Sequence, residues 1–168
     1  MEVFDAVRTV LAVRSYQNKP IRPELTRRIV EAAHLTASSM NRQPWHFVVV
    51  ENPGLLAELG VVARTGPYIT EASLAVVVVI EQSEFAVSDA SRAIQLMILT
   101  AWSEGVASNW VGFFGLEAAK PLLGIPAELD VLAIIPFGYP TVAKAGQKKK
   151  RKPFQNVVHR ERFGDPFR

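Results

Sequence analysis

Uninterrupted apolar runs are the clearest pattern along the chain. Residues 74–80 include four consecutive valines, and residues 131–137 are almost as apolar. Runs in which apolar and polar residues do not alternate are typical of strands that are covered on both faces. Residues 46–51 form a third, β-rich run, which the turn residues after it bring to an end. We therefore expect three strands of a mixed or parallel sheet between helices.

In the stretches outside these strands, apolar residues recur at helical spacing. This spacing predicts helices whose bounds are about 2–12, 23–37, 55–63, 90–104 and 117–123. Asp89 or Ser88 is the expected cap of the helix at 90–104, and Gly105 would stop it. Helices and strands interleave without an internal repeat or a linker. We predict a single three-layer α/β/α domain with an α+β fold over residues 1–168.

Length and composition agree with one unaided domain. The chain has 168 residues, of which 49% are apolar, and this excludes a disordered protein. It contains no cysteine, which fits a reducing compartment, and we expect a cytoplasmic location. The apolar run at 74–80 is far shorter than the roughly 20 residues that span a membrane. The first residues lack the basic start of a secretory signal.

Charge is spread unevenly between the body of the chain and its C-terminal segment. Residues 1–143 carry 10 basic and 14 acidic side chains, whereas residues 144–168 carry 9 basic and 2 acidic ones. The basic residues are densest at 148–152, where five follow one another. Such a block is typical of a solvated surface, a polyanion contact or an address label. Its partner could be as large as a nucleic acid or as small as one phosphate.

The familiar catalytic and nucleotide-binding motifs are absent from the sequence. It has no G-x-G-x-x-G loop, no G-x-x-x-x-G-K-[ST] loop and no G-x-S-x-G elbow, and its three histidines do not have metal-ligand spacing. Small, polar and basic segments remain at 14–15, 38–43, 109–112 and 148–152. They offer charge for a phosphate, polar groups for a flat ring and aromatic side chains for stacking. We expect a cofactor to carry the chemistry.

These segments resemble the FMN-dependent nitroreductase-like family. Residues 38–47, S-S-M-N-R-Q-P-W-H-F, are similar to the family segment [AP]-S-S-x-N-x-Q-P-W-x-F. Three further stretches agree with the family in order and spacing, and they lie at 13–21, 105–112 and 151–164. The resemblance covers nearly the whole chain. It implies a mixed central sheet flanked by helices, and a homodimer with two FMN sites at the interface.

The resemblance also implies which residues bind the cofactor. By similarity, the FMN contacts would be Arg14, Ser38, Ser39, Asn41, Gln43, Trp110, Val111, Gly112, Lys149 and Arg151. Lys149 and Arg151 would hold the phosphate, and Arg14 would contact the phosphate or the ribityl–pyrimidine side. The basic segment 144–168 would complete the flavin site and the dimer. No side chain is expected to be catalytic, and no metal is expected.

The two remaining groups of contacts have separate roles in this scheme. Ser38, Ser39 and Asn41 would reach the flavin of the partner subunit. Backbone groups at Val111 and Gly112 would lie near flavin N5, the atom that accepts the hydride. The implied activity is the transfer of a hydride from NADPH or NADH through flavin N5 to a small acceptor. That acceptor would be a nitroaromatic, a quinone or a similar compound.

Two other functions stay open on the sequence alone. One is a flavin- or deazaflavin-binding module without turnover, which NAD(P)H oxidation would separate from an enzyme. The other is a basic-tailed nucleic-acid-binding α/β protein, which the flavin content would separate. The basic block has no interleaved aromatic residues, so we expect neither nucleic acid nor membrane as a partner.

Overall fold

The structure is a computed structural model that describes residues 1–112, 115–142 and 149–167. Within these ranges the chain forms five α-helices and one four-stranded sheet. The helices are α1 (Val3–Thr9), α2 (Pro23–His34), α3 (Pro53–Val62), α4 (Ala86–Ser103) and α5 (Ala119–Leu123). The strands are β1 (Trp45–Val50), β2 (Leu74–Ile80), β3 (Ala107–Ser108) and β4 (Asp130–Gly138). Short 3-10 turns lie at Ser39–Asn41, Pro67–Glu71, Leu116–Ala118 and Phe154–Asn156.

The strands lie in the order β1–β2–β4–β3, so that β2 and β4 occupy the centre of the sheet. All three ladders between them are antiparallel. Within the described residues, parallel pairing is limited to an isolated bridge between Ala12 and Ser108. The parallel component that we expected of a mixed sheet is therefore confined to this bridge. Burial on both faces does not require strands to run in the same direction.

β2 is buried along its whole length, as its uninterrupted apolar run predicts. All seven of its residues are buried, and alternate side chains point to opposite faces of the sheet. Val76 and Val78 pack in a core with α2 and α4. Val77 and Val79 pack in a second core with α3 and α5. Helices thus cover both faces, which confirms the three-layer α+β fold.

Two helices end earlier than their apolar spacing predicts. α1 ends at Thr9, because Val10 already has the extended backbone angles φ −56° and ψ 131°. Phe4, which the spacing predicts on a packed stripe, is 73% exposed. α2 ends at His34, about three residues before the predicted end. The exposed apolar face of α1 is therefore left without a partner within the described residues.

The start of α4 was predicted four residues too late. Its N-cap is Phe85, whose side chain forms no capping hydrogen bond. Ser88 and Asp89, the predicted caps, both lie inside the first turns of the helix, so this prediction was wrong. The predicted stop is confirmed, because Gly105 follows the helix end with a left-handed φ of 78°. No helix among the described residues has the length and apolar character needed to cross a bilayer.

Candidate functional site

A pocket of about 500 Å³ lies between α1, α4 and residues 149–151 of the C-terminal segment. Lys149 and Arg151 line it together with Trp110 from the turn after β3. Gln95 and Ile98 of α4 complete the wall on the side of the helix. The fold thus brings Trp110 together with Lys149 and Arg151, two predicted contacts that lie about 40 residues later in the sequence. We call this space the cationic pocket.

The cationic pocket holds two positive charges that no described acidic group neutralises. Lys149 Nζ donates a hydrogen bond to the carbonyl oxygen of Val7 at 2.6 Å. Neither Lys149 nor Arg151 forms a salt bridge within the described residues. Burial, and then the charge of Arg151, lowers the pKa of Lys149. Two neighbouring cations without a counter-charge favour the binding of an anion such as a phosphate.

Arg14 lies in a neighbouring pocket of about 290 Å³, which shares Ala12 with the cationic pocket. Its guanidinium carbon lies 6.0 Å from the centroid of the Tyr68 ring. The Tyr68 hydroxyl in turn accepts a hydrogen bond from Asn109 Nδ2. Asn109 is buried and directly precedes Trp110 in the chain. Tyr68 and Asn109 therefore connect Arg14 with the cationic pocket.

The two predicted backbone contacts in the turn after β3, Val111 and Gly112, differ in their hydrogen bonding. Val111 pairs through both its N–H and its carbonyl with Ile134 of β4, at 3.0 and 2.9 Å. The N–H of Gly112 forms no hydrogen bond with the described residues. A Cβ atom on Gly112 would lie 2.6 Å from Trp110 Nε1, so glycine allows the indole to lie against this backbone. Of the two predicted backbone contacts, only Gly112 has a free amide among the described residues.

The other predicted contacts lie in a loop between α2 and β1, residues 38–43, which we call loop 38–43. Met40, Asn41 and Gln43 have φ values of 53°, 54° and 51°, in the left-handed region that non-glycine residues rarely adopt. Ser38 Oγ accepts a hydrogen bond from the Gln43 N–H at 2.9 Å. Gln43 Nε2 donates to Asn41 Oδ1 at 3.2 Å. Both amide side chains are thus held together at the exposed surface of the loop.

Within one chain, loop 38–43 does not line the cationic pocket. The predicted contacts therefore form two groups, one around Lys149 and Arg151 and one in the loop. In the scheme that the resemblance implies, the loop would serve the site of a partner subunit. The partner itself stays a prediction at this point.

A buried carboxylate on α4 accepts two hydrogen bonds from the loop. The side chain of Asp89 on α4 is 0% exposed and pairs with Arg92. It accepts hydrogen bonds from the Ser39 N–H at 2.9 Å and from Ser39 Oγ at 3.0 Å. Burial raises the pKa of Asp89, but the hydrogen bonds from Ser39 and the charge of Arg92 outweigh it, and the net pKa lies below its usual value. Asp89 is therefore ionised at neutral pH.

Sequence reasoning missed the roles of Asn109 and Asp89. Asn109 occupies a position that the turn motif leaves variable, and Asp89 was assigned to a helix cap. The available signal was a polar residue in an apolar stretch, since a buried polar group needs a partner. The partners themselves, Tyr68 and Ser39, lie 41 and 50 residues away in sequence. No local pattern could identify them.

The fold and the cationic pocket define a class: an α+β protein whose site suits an anionic cofactor with an aromatic ring. A model of the nitroreductase family matches residues 8–86 and 73–139. The chain belongs to the nitroreductase family.

Relatives in two archaea agree with this assignment, and both are provisionally named NADH dehydrogenase/NAD(P)H nitroreductase. The protein from Methanothermobacter thermautotrophicus is 33% identical over 149 residues, which cover 83% of this chain and 78% of the relative. The protein from Archaeoglobus fulgidus is 30% identical over 172 residues, which cover 96% of this chain and 99% of the relative. The family and these relatives make the chain an oxidoreductase.

Solved structures show the same fold. A provisionally named NADH dehydrogenase/NAD(P)H nitroreductase from Bacteroides thetaiotaomicron has a TM-score of 0.87 at 25% identity, over 96% of this chain and 98% of that one. An FMN-dependent nitroreductase from Clostridium difficile has a TM-score of 0.86 at 23% identity, over 95% of this chain and 99% of that one. The predicted nitroreductase fold is confirmed.

Proposed function

We propose that the protein is an FMN-dependent NAD(P)H oxidoreductase that passes electrons to a small acceptor, such as a nitroaromatic or a quinone. The observation that carries the proposal is the cationic pocket, where Lys149 and Arg151 lie beside Trp110. FMN, when bound, supplies the hydride chemistry. The names of the archaeal relatives support the NAD(P)H donor, and the FMN-dependent structural neighbour supports the cofactor.

The chemistry of the pocket fits the parts of FMN. A phosphate monoester is an anion with several acceptor oxygens, and Lys149 and Arg151 present charged donors without a described acidic partner. We assign the phosphate to these two residues and the ribityl–pyrimidine side to Arg14. The free N–H of Gly112 would donate to the flavin ring near N5, while Val111 keeps that turn bound to β4. The side chain of Trp110 would pack against the ring system.

We propose that the working form is a homodimer in which loop 38–43 of one protomer completes the cationic pocket of the other. Ser38, Ser39, Asn41 and Gln43 would then contact the flavin. Exposed apolar side chains support such an interface, because surfaces of this kind are rarely left in water. They include Val3, Phe4, Val7, Val87, Leu96, Phe154 and Phe163.

The C-terminal segment 144–168 belongs to the same proposal. Its residues 144–148 and 168 lie outside the described residues. The described part is mostly exposed, and Phe163 is 93% exposed. His159 Nδ1 is buried without a hydrogen-bond partner among the described residues. We propose that this segment packs against the second protomer and completes both the flavin site and the dimer.

The position of the basic block favours a small phosphate over a nucleic acid. Lys149 and Arg151 line the cationic pocket beside Trp110, whereas Lys150 and Lys152 do not line it. Binding to DNA with a steep dependence on salt concentration would contradict this interpretation. A cytoplasmic location, expected from the lack of cysteine, belongs to the same proposal.

Replacing Arg151 tests the phosphate assignment. Arg151→Ala removes a charged donor, which typically contributes about 1.5–3 kcal/mol. We therefore expect the Kd for FMN to rise about tenfold or more. The Kd for riboflavin, which lacks the phosphate, should change by less than about threefold. Both values can be measured by flavin fluorescence titration of the purified protein.

Lys152→Ala is the matched control, since it removes a basic residue of the same block that does not line the cationic pocket. It should leave both Kd values close to those of the wild type. Equal losses of FMN and riboflavin affinity in Arg151→Ala would remove Arg151 from the phosphate site.

A further inference from the structure

We infer that Asp89 is a positioning residue, which holds loop 38–43 in the shape that presents Asn41 and Gln43 to the flavin. The inference rests on the proposed function, because it requires the loop to contact a flavin. Asp89 itself is buried beneath the loop and would act through Ser39. Its role is therefore to set the geometry of the contact, not to touch the cofactor.

The contact between the carboxylate and the loop has two points. Asp89 Oδ2 accepts from the backbone N–H of Ser39 at 2.9 Å, and Oδ1 accepts from its hydroxyl at 3.0 Å. One bond fixes the position of the Ser39 backbone, and the other fixes its side-chain rotamer. Ser39 begins the 3-10 turn that contains Asn41. Holding Ser39 therefore fixes the start of the turn against α4.

The shape of the loop requires such an anchor. Three of its residues, Met40, Asn41 and Gln43, occupy the left-handed region, where a non-glycine side chain crowds the backbone. All three are exposed, so packing against the core does not hold them. Backbone conformations of this kind persist only where surrounding contacts over-determine them. Asp89 supplies such contacts from outside the loop.

A carboxylate at this place is otherwise hard to explain. Burying a charge carries a desolvation cost that an apolar side chain of similar volume on α4 would avoid. Ionised Asp89 is fully buried, whereas the Arg92 side chain is 52% exposed. α4 also carries Gln95 and Ile98 on the wall of the cationic pocket. The same helix thus supports both groups of proposed flavin contacts.

Three variants separate the two hydrogen bonds from Ser39 to Asp89, which we call the tether, from the ion pair between Asp89 and Arg92. Asp89→Ala removes both hydrogen bonds to Ser39. In Asp89→Asn, the amide oxygen can accept from the Ser39 N–H and the amide nitrogen can donate to Ser39 Oγ, but the charge that pairs with Arg92 is lost. Arg92→Ala removes the ion pair and keeps the tether. We expect the Kd for FMN to rise about tenfold or more in Asp89→Ala and less than about threefold in the other two variants.

Hydrogen exchange of the cofactor-free protein gives a readout that does not depend on activity. Asp89→Ala should speed the exchange of backbone amides within loop 38–43 and leave the protection of β2 unchanged. Arg92→Ala should leave the exchange of the loop close to that of the wild type. Should Asp89→Ala fail to fold, Ser39→Ala removes one of the two bonds and should produce the same pattern to a smaller extent.

Several results would overturn the inference. Wild-type FMN affinity in Asp89→Ala would do so, even with faster exchange in the loop. Equal losses of affinity in Asp89→Ala and Arg92→Ala would show that the ion pair matters and the tether does not. Loss of protection throughout β2 would make Asp89 a general stability residue. A wild-type protein that binds no FMN would instead contradict the proposed function, and the inferred role of Asp89 in positioning the loop would fail with it.

Discussion

Asp89 and Asn109 are polar residues that the fold buries almost completely. Each has a partner far away in sequence, Asp89 in Ser39 and Asn109 in Tyr68. Because buried polar groups need hydrogen-bond partners, these two contacts join Ser39, and the residue before Trp110, to other elements of the fold. The residue types were visible in the sequence, and the motif identified Ser39 as a contact. The pairings depend on the completed fold, so they could not be predicted.

The charge of Asp89 makes a prediction about stability against pH. Its folded-state pKa lies below the usual value, which is about 3.9 in an unfolded chain. The ionised carboxylate therefore stabilises the fold above about pH 4, and this contribution is lost as the pH falls through the lower folded-state value. Because asparagine does not ionise, the Asp89→Asn variant lacks this pH-dependent contribution to stability.

Urea unfolding of the wild type and Asp89→Asn at several pH values measures the effect. We expect the wild type to have the larger free energy of unfolding at neutral pH. The difference between the two proteins should shrink as the pH falls below about 4. A difference that stays constant over this range would show that the charge of Asp89 does not stabilise the fold.

Among the elements, β2 and α4 show what an apolar pattern can predict. Both ends of β2 were predicted to the residue, because seven successive apolar residues suit only a buried element. The predicted start of α4 was too late. The side chain of its N-cap, Phe85, forms no capping hydrogen bond, and the polar residues Ser88 and Asp89 suggested a later start. The antiparallel direction of the strands follows from long-range pairing, which no local pattern contains.

Two valines on neighbouring strands test the account of the sheet. Val77 on β2 is 0% exposed, whereas Val49 on the edge strand β1 is 40% exposed. Val77→Ala leaves a cavity in the core, and we expect it to lower the free energy of unfolding by about 2–3 kcal/mol. Val49→Ala should lower it by less than about 1 kcal/mol. Chemical denaturation measures both, and equal losses would contradict the assignment of β2 to the centre.

At the scale of the whole molecule, the proposed flavin contacts fall into two groups within one protomer. One group lines the cationic pocket, and the other lies in loop 38–43. The resemblance of the motifs to the nitroreductase family implies that both groups belong to one kind of site. The motifs do not specify how far apart the groups lie in a single subunit. A two-fold dimer is the simplest arrangement that can join them.

The proposed interface predicts a difference between two exposed apolar residues. Phe4 on α1 is 73% exposed and Val61 on α3 is 79% exposed. Phe4→Glu would bury an unpaired charge between protomers, so we expect the dimer Kd to rise about tenfold or more. Val61→Glu, the matched control, should leave the dimer intact. Sedimentation equilibrium measures both, and identical behaviour of the two variants would exclude α1 from the interface.

The visible absorbance spectrum tests the central claim most directly. The purified protein is incubated with FMN, desalted, and then mixed anaerobically with NADPH or NADH. The account predicts a retained flavin band that bleaches with at least one of the two donors. A retained band that bleaches with neither would contradict an oxidoreductase function and favour a flavin-binding module. A folded protein that retains no flavin would contradict the cofactor assignment itself.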